Sequence, residues 1–250
     1  MATYKKRSRK NISKSNSNAN LSSTKQVFET LDDSASKTEI FVSKYQKYLS
    51  GAVLVLVIIF VLYFSYNKLF FEPKVEEANL EIFTAQKYFN EASNNENNSD
   101  SLYKLSLEGA EGKFGFLDII DNYKGTQAAN ISYYYSGIAY FNLEKYDLAI
   151  KYLNDFRSND EILSSLALST IGDSFIQLNQ LNDGLDYFEK ALSKANDNSF
   201  IMPLILMKAG DLSLFLGKKS KANKYFNQIK DDFPKSQQAD IIEMKISESE

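Results

Sequence analysis

GDSFIQLNQLNDGLDYFEKAL, residues 172–192, decides the fold. Gly172 and Gly184 stand twelve residues apart, and Phe188 follows four later. The same 12-and-4 spacing recurs at Gly137, Ala149 and Leu153, and again at Gly210, Ala222 and Phe226. The second triplet trails the first by 35 residues and the third trails the second by 38, with the extra three in KANDNSFIMP. A recurring helix-turn-helix follows, in which the small residues let a first helix A and a second helix B approach. The Leu or Phe on helix B fills the gap between them.

This register resembles the tetratricopeptide repeat, a helix-turn-helix of about 34 residues. GIAYFNLEKYDLAIKYL supplies Gly137, Tyr140, Ala149 and Leu153. The quoted stretch supplies Gly172, Phe175, Phe188 and Ala191. AGDLSLFLGKKSKANKYFNQIKDDFP supplies Gly210, Ala222, Phe226 and Pro234. Gly184 replaces Ala, Ser213 stands where an aromatic is usual, and only the last repeat has its proline. The expectation is three repeats over residues 130–236. A degenerate unit over 74–129 precedes them, and a polar-faced capping helix over 237–250 follows, as solenoids require for solubility. FLDIIDNYKGTQAA from Phe116 echoes FNQIKDDFPKSQQA from Phe226. That makes Phe116–Tyr123 a helix B whose helix A lies in Val75–Ser93, with an atypical insert around EGAEGKFG and a polar loop at NNENNSD.

Upstream, YLSGAVLVLVIIFVLYFSYN (Tyr48–Asn67) is an uncharged run bounded by Lys47 and Lys68. About 20 helical residues cross a hydrocarbon core of about 30 Å, so one transmembrane helix is expected over 48–71. Tyr45, Tyr48, Tyr63 and Tyr66 sit where interfacial aromatic belts belong. An amphipathic lead-in covers 37–47, and residues 1–36 form a basic, largely disordered tail. Residues 1–47 carry ten Lys and Arg against four acids, +6, which leaves −9 for the rest of a chain of net charge −3. Basic flanks stay cytoplasmic while long domains translocate largely regardless of charge. The expected topology is a single-pass inner-membrane protein, N-terminus cytoplasmic and C-terminal domain periplasmic. A cleaved signal peptide fits poorly: the basic region is too long and no small-x-small site follows the run. KKRSRK (Lys5–Lys10) reads as a topology signal with affinity for anionic lipid, rather than a nucleic-acid patch.

The fold class is thus all-α: a transmembrane helix, then a tetratricopeptide α-solenoid. The chain has no Cys and no His. Disulfides, thiol nucleophiles, thiolate metal sites and the commonest general base are absent. Enzymatic activity is not expected, nor is a cofactor or metal. The acidic domain argues against nucleic acid. Protein partners remain. Carrying the repeat register over, the helix A groove would be lined by Ile131, Tyr134, Ile138, Phe141, Ser169, Asp173, Gln177, Met207, Asp211 and Leu214. Its floor would be aromatic at one end and mildly acidic at the other, suiting a peptide with apolar anchors and some positive charge. The competing reading is that these side chains are inter-helix core. Ile138, Asp173 and Asp211 occupy positions where a carboxylate clamp needs Lys, Arg or Asn, so a chaperone-tail clamp is not expected.

The layout of tail, lead-in EIFVSKYQKYL, span and repeats over about residues 37–240 resembles the YfgM-type family of single-span bacterial proteins and related tetratricopeptide proteins of Bacteroidota. That resemblance implies an ancillary subunit of the Sec translocon, beside a periplasmic chaperone, acting on emerging chains. A structural scaffold in cell-envelope assembly is the alternative.

Overall fold

The computed structural model describes residues 18–94 and 98–250, with side chains at Ile40 and from Ser43 onward. The chain divides into two units, Met1–Asn67 and Lys68–Glu250.

In the first unit, helix α1 spans Asn18–Tyr66. It begins inside the stretch read as a disordered tail, so residues 18–36 are helical backbone; residues 1–17 lie outside the described part. The segment holds no Pro or Gly before Gly51, so nothing local stops a helix once it starts. Every side chain from Val53 to Phe64 is 48–68% exposed. A core helix would bury such a run. α1 is therefore long and apolar enough to cross a membrane, and its apolar run is not buried among the described residues.

In the second unit, a π-helical turn Asn67–Phe71 leads to α2, Glu72–Asn94. Then come α3 (Ser99–Glu108), α4 (Phe116–Asn122), α5 (Gln127–Asn142), α6 (Tyr146–Asp155), α7 (Glu161–Gln177), α8 (Leu181–Ala195), α9 (Met202–Phe215) and α10 (Lys219–Asp232). A 3-10 turn Gln237–Ile241 and α11, Ile242–Ser249, complete it. No strand occurs among the described residues. α5/α6, α7/α8 and α9/α10 are the three helix A/helix B pairs.

The repeat spacing has a direct packing cause. A β-carbon on Gly172 would fall 2.7 Å from the Phe188 ring, and on Gly137 and Gly210 still closer to Leu153 and Phe226. Phe188 and Phe226 are 1% and 0% exposed. Each helix B side chain sits directly on the backbone of its own helix A. The A–B turns also share a register: Glu144 (φ 58°), Asn179 (φ 59°) and Gly217 (φ 70°) take the left-handed conformation seven residues after each glycine. Each turn closes with the next amide donating back across it, Lys145 to Tyr140, Gln180 to Phe175 and Lys218 to Ser213.

The degenerate unit differs in one respect. α2 and α4 occupy the expected helix A and helix B segments, but α3 stands between them. The polar loop expected at NNENNSD overlaps it at Ser99 and Asp100, the insert around EGAEGKFG begins at its last residue, and 101–107 carried no expected element. Tyr103, Ser106 and Leu107 bury against α2 and its neighbours, so tertiary burial stabilises a ten-residue helix that is marginal alone. Phe89 of α2 gathers Tyr103, Phe116 and Tyr135 around it at 5.5, 6.2 and 4.9 Å between ring centroids. The echo between Phe116 and Phe226 extends to atoms. Thr126 Oγ1 donates to the Tyr123 carbonyl and Ser236 Oγ to the Phe233 carbonyl, both at 2.8 Å.

Candidate functional site

The helix A surfaces of α2, α5 and α7 border an open groove of about 790 Å³. Asn79, Ile82 and Gln86 come from α2, Gln127, Asn130 and Ile131 from α5, and Leu163 from α7. The remaining wall is the extended connection Phe156–Asn159. Asn130 fixes that wall: its Nδ2 donates to the Arg157 carbonyl at 2.6 Å and its Oδ1 accepts from the Arg157 amide at 3.0 Å. The Arg157 guanidinium turns back onto the carbonyls of Asn154 and Phe156. α5 and α7 start cleanly here, because Thr126 Oγ1 accepts from the Ala129 amide and Asp160 Oδ1 from the Leu163 amide. The lining is therefore rich in amide side chains around a few apolar ones. Such groups donate to and accept from a peptide backbone without demanding charge.

Of the ten groove residues read from the repeat register, Ile131 lines this groove. The others are distributed along α5, α7 and α9. Tyr134 and Ile138 are half-buried and pack on the Leu153–Phe156–Ala167–Ile171 cluster, with Tyr134 5.3 Å from the Phe156 ring. Burial raises the Tyr134 pKa. Phe141 packs edge-on against Tyr146 at 5.7 Å. Ser169 is buried at 3% exposure. Met207 and Leu214 pack on the C-terminal core, and Gln177 is exposed. Tyr134, Ile138, Phe141, Met207 and Leu214 are thus half-buried, each packed against a core cluster.

The floor expected to be acidic is neutralised. Lys208 Nζ reaches Asp173 at 2.6 Å and Lys245 Nζ reaches Asp211 at 3.0 Å. Each carboxylate takes an ammonium from the α-helix two further along the chain, α9 for α7 and α11 for α9. The hydrogen bond from Lys245 to Asp211 raises the Lys245 pKa. The two lysines stand 37 residues apart, close to the 38 that separate the aspartates. That near-coincidence was the sequence signal for the pairing, and the repeat register alone passed over it. Among the described residues no group of three His, Cys, Asp or Glu could hold a metal ion.

A second ladder runs along the B helices. Tyr225 donates to Glu189 Oε1 at 2.8 Å, and Tyr187, at the same register one repeat earlier, donates to Asn154 Oδ1 at 3.3 Å. Lys221 also pairs with Glu189. Burial pushes the Glu189 carboxyl up, but the hydrogen bonds from Lys221 and Tyr225 outweigh it and the pKa is lowered. Tyr152 and Tyr187 each face a ring on their own helix A, Tyr140 and Phe175, both at 5.2 Å. In the third repeat that ring is missing: Ser213 is fully buried and its hydroxyl has no hydrogen-bond partner among the described residues.

Residues 132–160 and 205–236 match the family model of the tetratricopeptide repeat. The chain carries tetratricopeptide repeats. The first match takes in most of α5, all of α6 and the connection that walls the groove; the second takes in most of α9 and all of α10. Between them α7 and α8 hold the same glycine, aromatic and turn geometry, so the tetratricopeptide stack is continuous from α5 to α10. Among curated proteins no match was found. Tetratricopeptide repeats are modules of protein–protein interaction, and the groove lies on the surface formed by their A helices.

Proposed function

We propose that this chain is a membrane-anchored tetratricopeptide protein that holds a polypeptide partner in the amide-lined groove between α2, α5 and α7. The open groove of about 790 Å³, with its Asn130-pinned wall, supports this reading. Its lining suits an extended segment whose backbone is bonded by Asn79, Gln86 and Gln127 and whose apolar side chains meet Ile131 and Leu163. The exposed apolar helix α1 would anchor it, with the basic N-terminal flank inside and the repeat domain on the periplasmic face. The layout it shares with the YfgM-type family supports a role as an ancillary subunit of the export translocon, beside a periplasmic chaperone. Two tethered contacts, span and groove, would make weak groove affinity sufficient. No enzymatic role is proposed.

Photo-crosslinking groups at Ile131 and Asn159 in native membranes test this, with Lys190 on α8 as the control position. Adducts with translocon subunits, a chaperone or exported chains, absent from Lys190, are expected. Adducts confined to envelope-assembly machinery would replace this reading with the scaffold alternative.

A further inference from the structure

The groove does not end at Gln86. That half-buried side chain also lines a second open cavity of about 650 Å³, between α2 and the start of α3. Phe83, Asn90 and Asn94 of α2 border it, with Leu102 of α3 and Asn98 at the N-cap of that helix. Asn79, Phe83, Gln86 and Asn90 stand at i, i+4, i+7 and i+11, so a single stripe of α2 serves both cavities. Phe83 is 69% exposed and Leu102 is half-buried on the core, which makes the far end apolar. Among the described residues, the side-chain amides of Asn79, Gln86 and Asn90 make no hydrogen bond within the chain. Those of Asn94 and Asn130 are already bonded to backbone carbonyls.

The charged side chains here are already engaged. Lys87 and Glu91 line the second cavity and pair with each other at 3.9 Å. Arg157, the charged residue lining the first, is turned onto carbonyls. An ionic side chain of a partner would lose water on this surface and find no counter-charge. We propose that the two cavities form one continuous site for an uncharged, extended polypeptide segment, with a large apolar side chain of that segment seated against Phe83 and Leu102. The amides of Asn79, Gln86 and Asn90 bond its backbone along the way. Asn79 and Asn94 are fifteen residues apart, about 22 Å of helix. At about 3.3 Å per residue, the segment runs for about seven residues along α2 alone. This extension rests on the groove's holding a polypeptide; it adds the length, the neutrality and the far anchor of what is held.

Fluorescence anisotropy with the full-length chain in lipid nanodiscs tests it. The probes are labelled peptides of Ser, Thr and Asn: a nonapeptide with Leu second and Phe eighth, its reverse, and a pentapeptide with Leu alone. One nonapeptide is expected to bind about ten-fold more tightly than the pentapeptide. F83S with N90A should remove that advantage. Both positions are exposed, and unchanged pentapeptide binding shows that the variant is folded. Lys or Glu at the fifth residue of the nonapeptide should each weaken binding about ten-fold. Equal affinity of nonapeptide and pentapeptide, indifference of the nonapeptide to F83S with N90A, or tolerance of either charge would each overturn the extended site while leaving the groove reading in place. Absence of binding by every peptide would overturn both.

Discussion

Phe188 rests its ring on the backbone of Gly172, so closely that a β-carbon there would lie 2.7 Å from the ring edge. The contact joins the two helices of the central repeat at a fully buried point. Gly172→Ala gains about 1 kcal/mol of helix propensity and loses about 1–3 kcal/mol to overpacking. Because the ring cannot withdraw from the core, a net loss of about 1–2 kcal/mol is expected in urea unfolding. In a double-mutant cycle, Phe188→Ala should cost less in the Gly172→Ala background than alone. Additive costs would show that the two residues do not press on each other.

Ser213 occupies the site that Tyr140 and Phe175 fill in the other repeats, and its hydroxyl is buried without a partner among the described residues. Removing an unsatisfied buried hydroxyl recovers its desolvation penalty, about 1–3 kcal/mol. Ser213→Ala should therefore raise stability by about 1 kcal/mol, read as a higher urea midpoint at unchanged slope. A lower midpoint would mean that the hydroxyl is satisfied in solution.

Glu144 holds φ 58° where the third repeat places Gly217. The left-handed conformation costs a residue with a β-carbon about 1–2 kcal/mol, and glycine's extra chain entropy returns about 0.5–1 kcal/mol of that. Glu144→Gly is expected to stabilise by about 0.5 kcal/mol, and Gly217→Ala to destabilise. Opposite signs in thermal unfolding of the two variants confirm the shared turn.

The pH profile has two edges. Glu189 is lowered in the folded state, so its contribution is present above its ordinary carboxylate value and lost as pH falls through the folded one. Glu189→Gln should flatten that acid limb. Burial first, and then Tyr152 and Glu108, push Tyr140 up from 10.0 to about 12, and burial with Glu189 raises Tyr225 as well. These phenolates form readily only in the unfolded chain, so stability falls as pH rises from about 10 towards 12. Tyr140→Phe with Tyr225→Phe should flatten this alkaline limb, read as helical circular dichroism against pH.

The proposed sidedness rests on the charge asymmetry around α1. A C-terminal alkaline phosphatase fusion should be active, and inversion of the basic flank, Lys44→Glu with Lys47→Glu and Lys5–Lys10 neutralised, should reduce that activity. An inactive fusion of the native chain would place the repeat domain on the cytoplasmic side.

Much was legible in order along the chain. The 12-and-4 spacing identified Gly137, Gly172 and Gly210 and their Leu or Phe partners, because close helix approach restricts which residues fit at a fixed offset. The long apolar helix was legible because length and apolarity are both local properties of the sequence. α3 was not legible, since ten polar-rich residues become helix only when Tyr103 and Leu107 find α2.

The candidate site divides along the same line. Residue order placed Ile131 on a helix A face, and helical periodicity alone suffices for that. Only the packed structure showed an open groove between α2, α5 and α7, with Asn130 pinning its wall across 27 residues of chain. Only it showed that Lys208 and Lys245 neutralise Asp173 and Asp211. Those contacts depend on distances between separate helices, and these are set by how side chains of unequal size fill the space between repeats, which no local spacing encodes.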